Sequence, residues 1–131
     1  MPHLAIEYSA NLEERADLDA LCHAVHGAIL DSGLFETGAV RVRAFPARHF
    51  AIADLMSQNA FADMSFRIGK GRSAEDRKRV GEAIFAAASE VLAPLFRTPH
   101  FALSLEIREI DAELSWKKNA MHSRLRAGGK S

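Results

Sequence analysis

The chain has 131 residues, of which 48% are hydrophobic and 26% charged, and its acidic and basic side chains balance to a formal net charge of zero. This composition is typical of one globular domain and excludes a disordered or membrane-spanning chain. Zero net charge gives no global field, so we expect neither nucleic acid nor a membrane surface as partner. A single cysteine, Cys22, and the lack of a signal-peptide pattern predict a cytoplasmic location.

The first predicted element is a strand over residues 2–9, in which apolar residues alternate with small or polar ones. Pro2 shares the parity of the apolar face, so we expect its ring at the rim of a helix-covered surface. Removal of Met1 would leave Pro2 with a free secondary amine. The pKa of an α-amine is about 7.7–8.0, and burial or nearby cations lower it, so Pro2 is a candidate general base. Proline at this position also occurs where only N-terminal processing is involved.

A helix follows this strand. Asn11 is predicted to cap it with Glu14 as the capping-box partner, and Ser32-Gly33 is predicted to end it. Its apolar positions repeat at helical spacing: Leu18, Leu21, Cys22, Val25 and Ile29. Residues 40–45 then alternate as a second strand. Residues 46–59 have no regular pattern, although residues 49–52 could form a short strand or hairpin arm.

The same order of elements then restarts. Residues 62–68 alternate as a strand, Ser73 is predicted to cap a second helix with Asp76 at the third position, and residues 101–107 form a fourth strand. The predicted buried stripe of the second helix is Val80, Ile84, Ala87, Val91 and Leu95. We expect one domain over residues 1–125 and a flexible tail at 126–131.

Superposing the two halves aligns Pro2 with Ala62, so residues 2–59 and 60–120 are interpreted as two copies of one β-α-β unit. Each copy should hold two parallel strands joined by a right-handed crossover. Together they predict an α+β, two-layer fold, with a four-stranded sheet and both helices on one face. The opposite face carries mixed side chains rather than a solvent-like set, which predicts that other subunits cover it.

Chemistry is expected where the two copies differ. Pro2 begins the first copy, Arg41 lies on its second strand, and Arg72 stands in a turn found in the second copy alone. Arginine binds carboxylates in a planar two-pronged geometry, so these residues predict a site for an acidic small molecule. Either arginine could instead be an ordinary surface or interface residue. His23 and His26 have a spacing that can hold a metal, but no further ligand converges on them, and no metal site is predicted.

Five strings of the sequence carry a resemblance to a known family. They are the opening Met-Pro-His-Leu with the Ile-Glu-Tyr-Ser-Ala-Asn-Leu that follows, Arg41–Ala44, Gly71–Arg79, Leu103–Ile110 and Leu114–Asn119. The opening Met-Pro, Val40–Val42, His49–Ile52 and the Gly71–Ser73 turn are similar to the tautomerase superfamily typified by 4-oxalocrotonate tautomerase. The five strings resemble more closely one family within it, the 5-carboxymethyl-2-hydroxymuconate delta-isomerase family, over nearly the whole length of the chain.

The resemblance implies a homotrimer of fused β-α-β pairs that needs no metal or other cofactor. It implies Pro2 as the general base and Arg41 and Arg72 as the residues that bind substrate carboxylates. Phe50 stands where the superfamily has an aromatic residue lining the pocket. Trp116 occupies the corresponding region of the second copy.

The implied reaction converts 5-carboxymethyl-2-hydroxymuconate to its oxo isomer, in catabolism of 4-hydroxyphenylacetate through homoprotocatechuate. One alternative keeps the Pro2 base and changes the substrate to another enol or an unsaturated acid. The other is a trimeric binding module in which the proline is inert.

Overall fold

The computed structural model describes residues 1–128. Its strands are β1 (His3–Ser9), β2 (Arg41–Ala47), β3 (Ala60–Ile68) and β4 (Phe101–Glu109). Its α-helices are α1 (Leu18–Asp31), α2 (Ala74–Val91) and α3 (Met121–Ala127), and 3-10 turns occupy Ala10–Glu14, Thr37–Ala39 and Ala93–Arg97. Across residues 1–128, no helix combines the length and the apolar character needed to cross a membrane.

The four strands form one sheet in the order β2-β1-β3-β4. β1 pairs in parallel with β2, β3 pairs in parallel with β4, and the two pairs meet through antiparallel β1 and β3. The predicted pair of β-α-β units is therefore confirmed. Ala5 lies opposite Ser65, and these residues differ by 60 in number, as do Pro2 and Ala62. A local two-fold relation between β1 and β3 thus accounts for the repeat seen in the sequence.

Both long helices cover one face of this sheet, because alternation along the strands collects their apolar side chains there. The central strands bury Leu4, Ile6, Met64 and Phe66 completely. The helices contribute Leu21, Val25, Ile29, Val80, Ile84 and Ala88, all without exposed surface. Burial of one such large side chain contributes about 1.5–3 kcal/mol. In the second helix Ala88 takes the buried position that was predicted for Ala87, which is only half-buried.

The helix caps are partly as predicted. Ser73 Oγ accepts a hydrogen bond from the Asp76 amide at 3.0 Å, which confirms the second cap. The Asn11 prediction was wrong: α1 begins later, and Asp17 caps it by accepting from the Ala20 amide at 3.0 Å. The intervening residues form a 3-10 turn, from which the Asn11 amide donates to the Asn59 carbonyl at 2.8 Å.

The connection from β2 to β3 contains no strand, so the arm predicted at residues 49–52 is absent. Ala53 and Leu55 have left-handed backbone angles, φ 52° and 69°, which interrupt any extended run there. Asn59 holds this loop by donating to the Ile52 carbonyl at 3.1 Å and to Asp54 Oδ1 at 2.8 Å.

The predicted tail at residues 126–131 overlaps the end of a helix. α3 continues through Ala127, and the Arg126 side chain forms an ion pair with Glu36. Residues 129–131 of the predicted tail lie outside the described part of the chain.

Candidate active site

The site lies at the end of the sheet where β1 begins. Pairing places His3 between Arg41 on β2 and Arg67 on β3, so the two neighbouring strands bring cationic side chains to this end. Pro2 immediately precedes β1, is buried, and accepts a hydrogen bond on its carbonyl from the Arg41 amide at 3.2 Å. Sheet pairing therefore fixes the start of the chain beside a group of positive charges.

Arg72 reaches this end of the sheet from the turn between β3 and α2. Gly71 precedes it with φ 114°, a left-handed angle that favours glycine. The Arg72 guanidinium donates to the Gly69 carbonyl at 3.2 Å and to the Leu34 carbonyl at 3.1 Å. Its carbon also lies 4.2 Å from the centroid of the Phe35 ring. These contacts hold the guanidinium in one place before any ligand binds.

Pro2 and Arg72 line the same cavity, of about 250 Å³. Its other walls come from Met1, from residues 34–36 and Ala39, and from two residues near the end of the chain, Lys117 and His122. The structure thus brings together two of the residues that the sequence singled out, on a concave surface large enough for a small molecule.

Arg41 borders this cavity without lining it. Its guanidinium turns toward the backbone and donates to the Ala39 carbonyl at 2.8 Å and to the Gly38 carbonyl at 3.3 Å. Ala39 itself is a wall residue of the cavity, so Arg41 supports that wall and adds charge behind it.

Phe50 and Trp116 are not in this cavity. β1 and β2 run in parallel away from Pro2, and Phe50 follows the end of β2, so it lies at the opposite end of the sheet with 42% of its surface exposed. Trp116 is 85% exposed and lines a neighbouring cavity of about 490 Å³ that also contains Met1. Within one chain, Phe50 lies at the other end of the sheet from Pro2, and Trp116 shares a cavity with Met1 but not with Pro2.

The surrounding charges disfavour a further positive charge in the site. Burial lowers the pKa of the Met1 α-amine, and Lys117, Arg72, Arg41 and Arg67 lower it further. Burial also lowers the pKa of His3, with Arg67, Arg43 and Arg41 acting in the same direction. An amine in this field is more readily neutral than an ordinary α-amine, and an anion placed there is stabilised.

The helix α3, which the sequence did not predict, borders the cavity through His122. Arg126 is hydrogen-bonded to Glu36, and this contact lowers the pKa of the Glu36 carboxyl. Asn119 donates to the Gly38 carbonyl at 2.8 Å, just before the helix begins. His122 lies with Nδ1 3.6 Å from Glu36 Oε2. A segment that was not predicted to be helical, α3, therefore contributes His122 to the wall of the site.

Lys117, Glu36 and His122 were missed as site residues. Lys117 belongs to one of the strings that carried the resemblance, which was the available signal for it. No feature of the sequence indicated Glu36 or His122, because these two residues meet in the cavity that contains Pro2 only when α3 packs in the folded chain. Among residues 1–128, no group of three His, Cys, Asp or Glu side chains is arranged to hold a metal ion.

Comparisons with known proteins identify the family of the chain. The model of the 5-carboxymethyl-2-hydroxymuconate isomerase family matches residues 2–125. A 5-carboxymethyl-2-hydroxymuconate Delta-isomerase of Escherichia coli is 34% identical over 123 residues, which cover 94% of this chain and 98% of that protein. The crystal structure of a 5-carboxymethyl-2-hydroxymuconate isomerase from Deinococcus radiodurans R1 superposes with a TM-score of 0.87 at 36% identity, covering 94% of this chain and 92% of that one.

A more distant structure, a fused 4-OT symmetric trimer, has a TM-score of 0.67 at 13% identity, covering 88% of this chain and 93% of that one. This likeness concerns the fold, which is tautomerase-like. At the level of sequence the relationship is closer: the chain belongs to the 5-carboxymethyl-2-hydroxymuconate isomerase family, and it is an isomerase.

Proposed function

We propose that this isomerase converts 5-carboxymethyl-2-hydroxymuconate to its oxo isomer in the catabolism of 4-hydroxyphenylacetate, with the Pro2 amine as general base. The observation that carries this proposal is the single cavity lined by buried Pro2 and by Arg72, with cations around it. A polyanionic enol fits such a cavity, and the name of the E. coli relative specifies one. The reaction is an internal proton transfer and requires no cofactor.

In the proposed mechanism the neutral Pro2 nitrogen takes the proton of the 2-hydroxyl group. The oxygen electrons form the carbonyl, the double bonds shift along the chain, and the electron pair arrives at C5. The Pro2 ammonium then returns the proton to C5, which regenerates the base. The overall change moves one proton from oxygen to carbon, so atoms and charges balance.

The cations have two roles in this scheme. Arg72 lines the cavity and binds one substrate carboxylate. Arg41 binds a second one by turning its guanidinium from the Gly38 and Ala39 carbonyls into the cavity. Both stabilise the negative charge that spreads through the dienolate. The same charges keep the Pro2 amine neutral at rest, because a nearby cation disfavours protonation. Preorganisation of Arg72 by the Leu34 and Gly69 carbonyls means that little of its freedom is lost when a substrate binds.

This chemistry depends on removal of Met1, since a Pro2 nitrogen in a peptide bond has no basicity. The direct test combines intact mass with an ultraviolet assay of dienol loss. A preparation of processed protein should turn over the enol, and one with residues added before Pro2 should keep its circular dichroism spectrum and lose turnover. Full activity in a protein of confirmed unprocessed mass would contradict the proline-base mechanism.

The proposed assembly is a homotrimer, in agreement with the trimeric fused 4-OT structure of the same fold. Exposed Phe50 lies at the end of the sheet away from its own Pro2. In a trimer, Phe50 of one chain would complete the pocket of a neighbour. Each chain offers one N-terminal proline, because Ala62 is internal, so the trimer would have three sites.

We place the enzyme in the cytoplasm, which suits its unpaired thiol at Cys22.

A further inference from the structure

Two cavities adjoin at the start of the chain. The cavity of about 250 Å³ contains Pro2 and Arg72, and the cavity of about 490 Å³ is lined by His3, Arg67 and other residues. Met1 and Lys117 line both. Met1 and Lys117 therefore lie where the two spaces adjoin, and removal of Met1 would expose the Pro2 nitrogen close to Lys117.

Lys117 differs from the two arginines in having no hydrogen-bond or ion-pair partner among the described residues. Arg72 donates to two backbone carbonyls and stacks on Phe35, and Arg41 donates to two carbonyls. Among residues 1–128, no hydrogen bond or ion pair engages the Lys117 ammonium, and the side chain is exposed. Its charge nevertheless acts on the Met1 α-amine more strongly than that of either arginine. The ammonium is thus close to the reacting position and available to a ligand.

The proposed substrate has one more carboxylate than the arginines account for. 5-Carboxymethyl-2-hydroxymuconate carries a carboxylate at each end of its six-carbon chain and a third on the carboxymethyl arm. Arg41 and Arg72 are proposed to hold two of them. An unpaired carboxylate in a partly enclosed site loses hydration without compensation, so the third requires a donor of its own.

We propose that Lys117 binds the carboxylate of the carboxymethyl arm and thereby makes the enzyme selective for tricarboxylate enols over dicarboxylate enols. This inference rests on the proposed function, because it assigns the third carboxylate of that substrate. Lys117 is preferred to Lys70, which lines the larger cavity alone, whereas Lys117 also faces the space that holds Pro2.

The kinetic test compares two enols, 5-carboxymethyl-2-hydroxymuconate and 2-hydroxymuconate, which lacks the arm. Measured at a pH above the acidic limb of each protein, Lys117→Gln should lower kcat/KM about 10-fold or more for the first, mainly through KM, and change it little for the second. Lys117→Arg should restore most of the loss. Lys118→Gln is the matched control, since Lys118 is the adjacent exposed lysine and lines neither cavity, and it should leave both substrates unaffected.

A binding measurement makes the test independent of turnover. Calorimetric titration of processed protein with 2-(carboxymethyl)hexanedioate and with hexanedioate compares the same two charge patterns without reaction. Weaker binding of only the tricarboxylate to Lys117→Gln supports the assignment. Equal losses for both ligands, or no loss, overturn it. If this binding difference is present but the wild type does not isomerise the enol, the proposed function fails and the Lys117 assignment stands.

Discussion

The guanidinium of Arg72 lies over the ring of Phe35, at 4.2 Å from the ring centroid, while Phe35 packs edge-on against the buried ring of Phe66. A cation of the site is thereby connected through two aromatic rings to the hydrophobic core. The connection explains how a residue in a glycine-rich turn keeps a fixed position. It also means that substitutions at Arg72 remove a structural contact together with a candidate ligand.

Replacement of Arg72 by alanine should lower kcat/KM for a carboxylated enol roughly 10-fold to 100-fold, because a charge-assisted contact contributes about 1.5–3 kcal/mol. Arg72→Lys should recover only part of this, since an ammonium lacks the planar two-pronged geometry. Arg97→Ala is a suitable control, as Arg97 is exposed in the turn before β4, at the other end of the sheet. Wild-type kinetics in Arg72→Ala would remove Arg72 from the site.

Pro2→Ala should keep a fraction of the activity. After removal of Met1 this variant has a primary amine, which can accept a proton but differs from proline in basicity and geometry. We expect a loss concentrated in kcat, measured by steady-state kinetics on protein of verified mass. An activity equal to that of the wild type would indicate that the ring is unimportant, and abolition would indicate that the secondary amine is essential.

The pH dependence of kcat/KM should follow the protonation of the Pro2 amine. The base is active when neutral, so activity should be lost as pH falls through its pKa. Burial and then the surrounding cations lower the pKa of the Met1 α-amine, and we expect the same direction for a Pro2 amine freed at this end of the sheet. Arg67→Gln removes one of these cations and should move the acidic limb to higher pH. Arg97→Gln, which changes the exposed arginine in the turn before β4 at the other end of the sheet, provides the control. An acidic limb that does not move in Arg67→Gln would argue against charge control of the base.

Gly38→Ala should displace α3. A methyl group at this position would lie 3.0 Å from His122 Nδ1 and 3.2 Å from Leu125 Cδ1, and overpacking of this kind costs about 1–3 kcal/mol. Hydrogen exchange should then quicken in residues 121–127, and kcat/KM should fall as the cavity loses a wall. Gly27→Ala meets no atom within 4 Å and lies inside α1, so it should raise stability by about 0.5–1 kcal/mol. Unchanged exchange in Gly38→Ala would contradict this account of the wall.

Activity should depend on assembly if Phe50 completes a neighbour's pocket. Dilution into conditions that release monomers should lower specific activity in parallel with the mass measured by light scattering. Phe50→Ala should reduce turnover although Phe50 lies far from Pro2 in its own chain. Phe85→Ala changes another exposed phenylalanine, on α2, and serves as the comparison. An active monomer would overturn the trimeric site.

The sequence alone predicted the strands and helices whose apolar residues recur at a regular spacing and are buried in the core. The four strands and the two long helices appear where the alternation and the helical spacing predicted them, since the same apolar positions form the core. Asn11 shows the limit of local signals. Both Asn11 and Asp17 are good capping residues, and long-range hydrogen bonding of Asn11 to the Asn59 carbonyl decides between them.

The candidate site was less predictable, because part of its wall depends on contacts distant in sequence. α3 is short and has no fully buried residue, and contacts with Glu36 and Gly38 hold it and the preceding Asn119 in place. The separation of Phe50 from Pro2 likewise follows from strand direction, which places the ends of β1 and β2 together. The types of residue indicated the chemistry of the site, whereas the positions of these residues depend on how the strands pair.

The cavity joins segments that lie far apart in the sequence. Met1 and Pro2 precede β1, whereas Lys117 and His122 follow β4, and all four line one space. Contacts between such distant residues form only after the long loops between them have closed. The cavity is therefore a product of the whole fold. A fragment that lacks the segment after β4 would keep every strand of the sheet and still have no complete site.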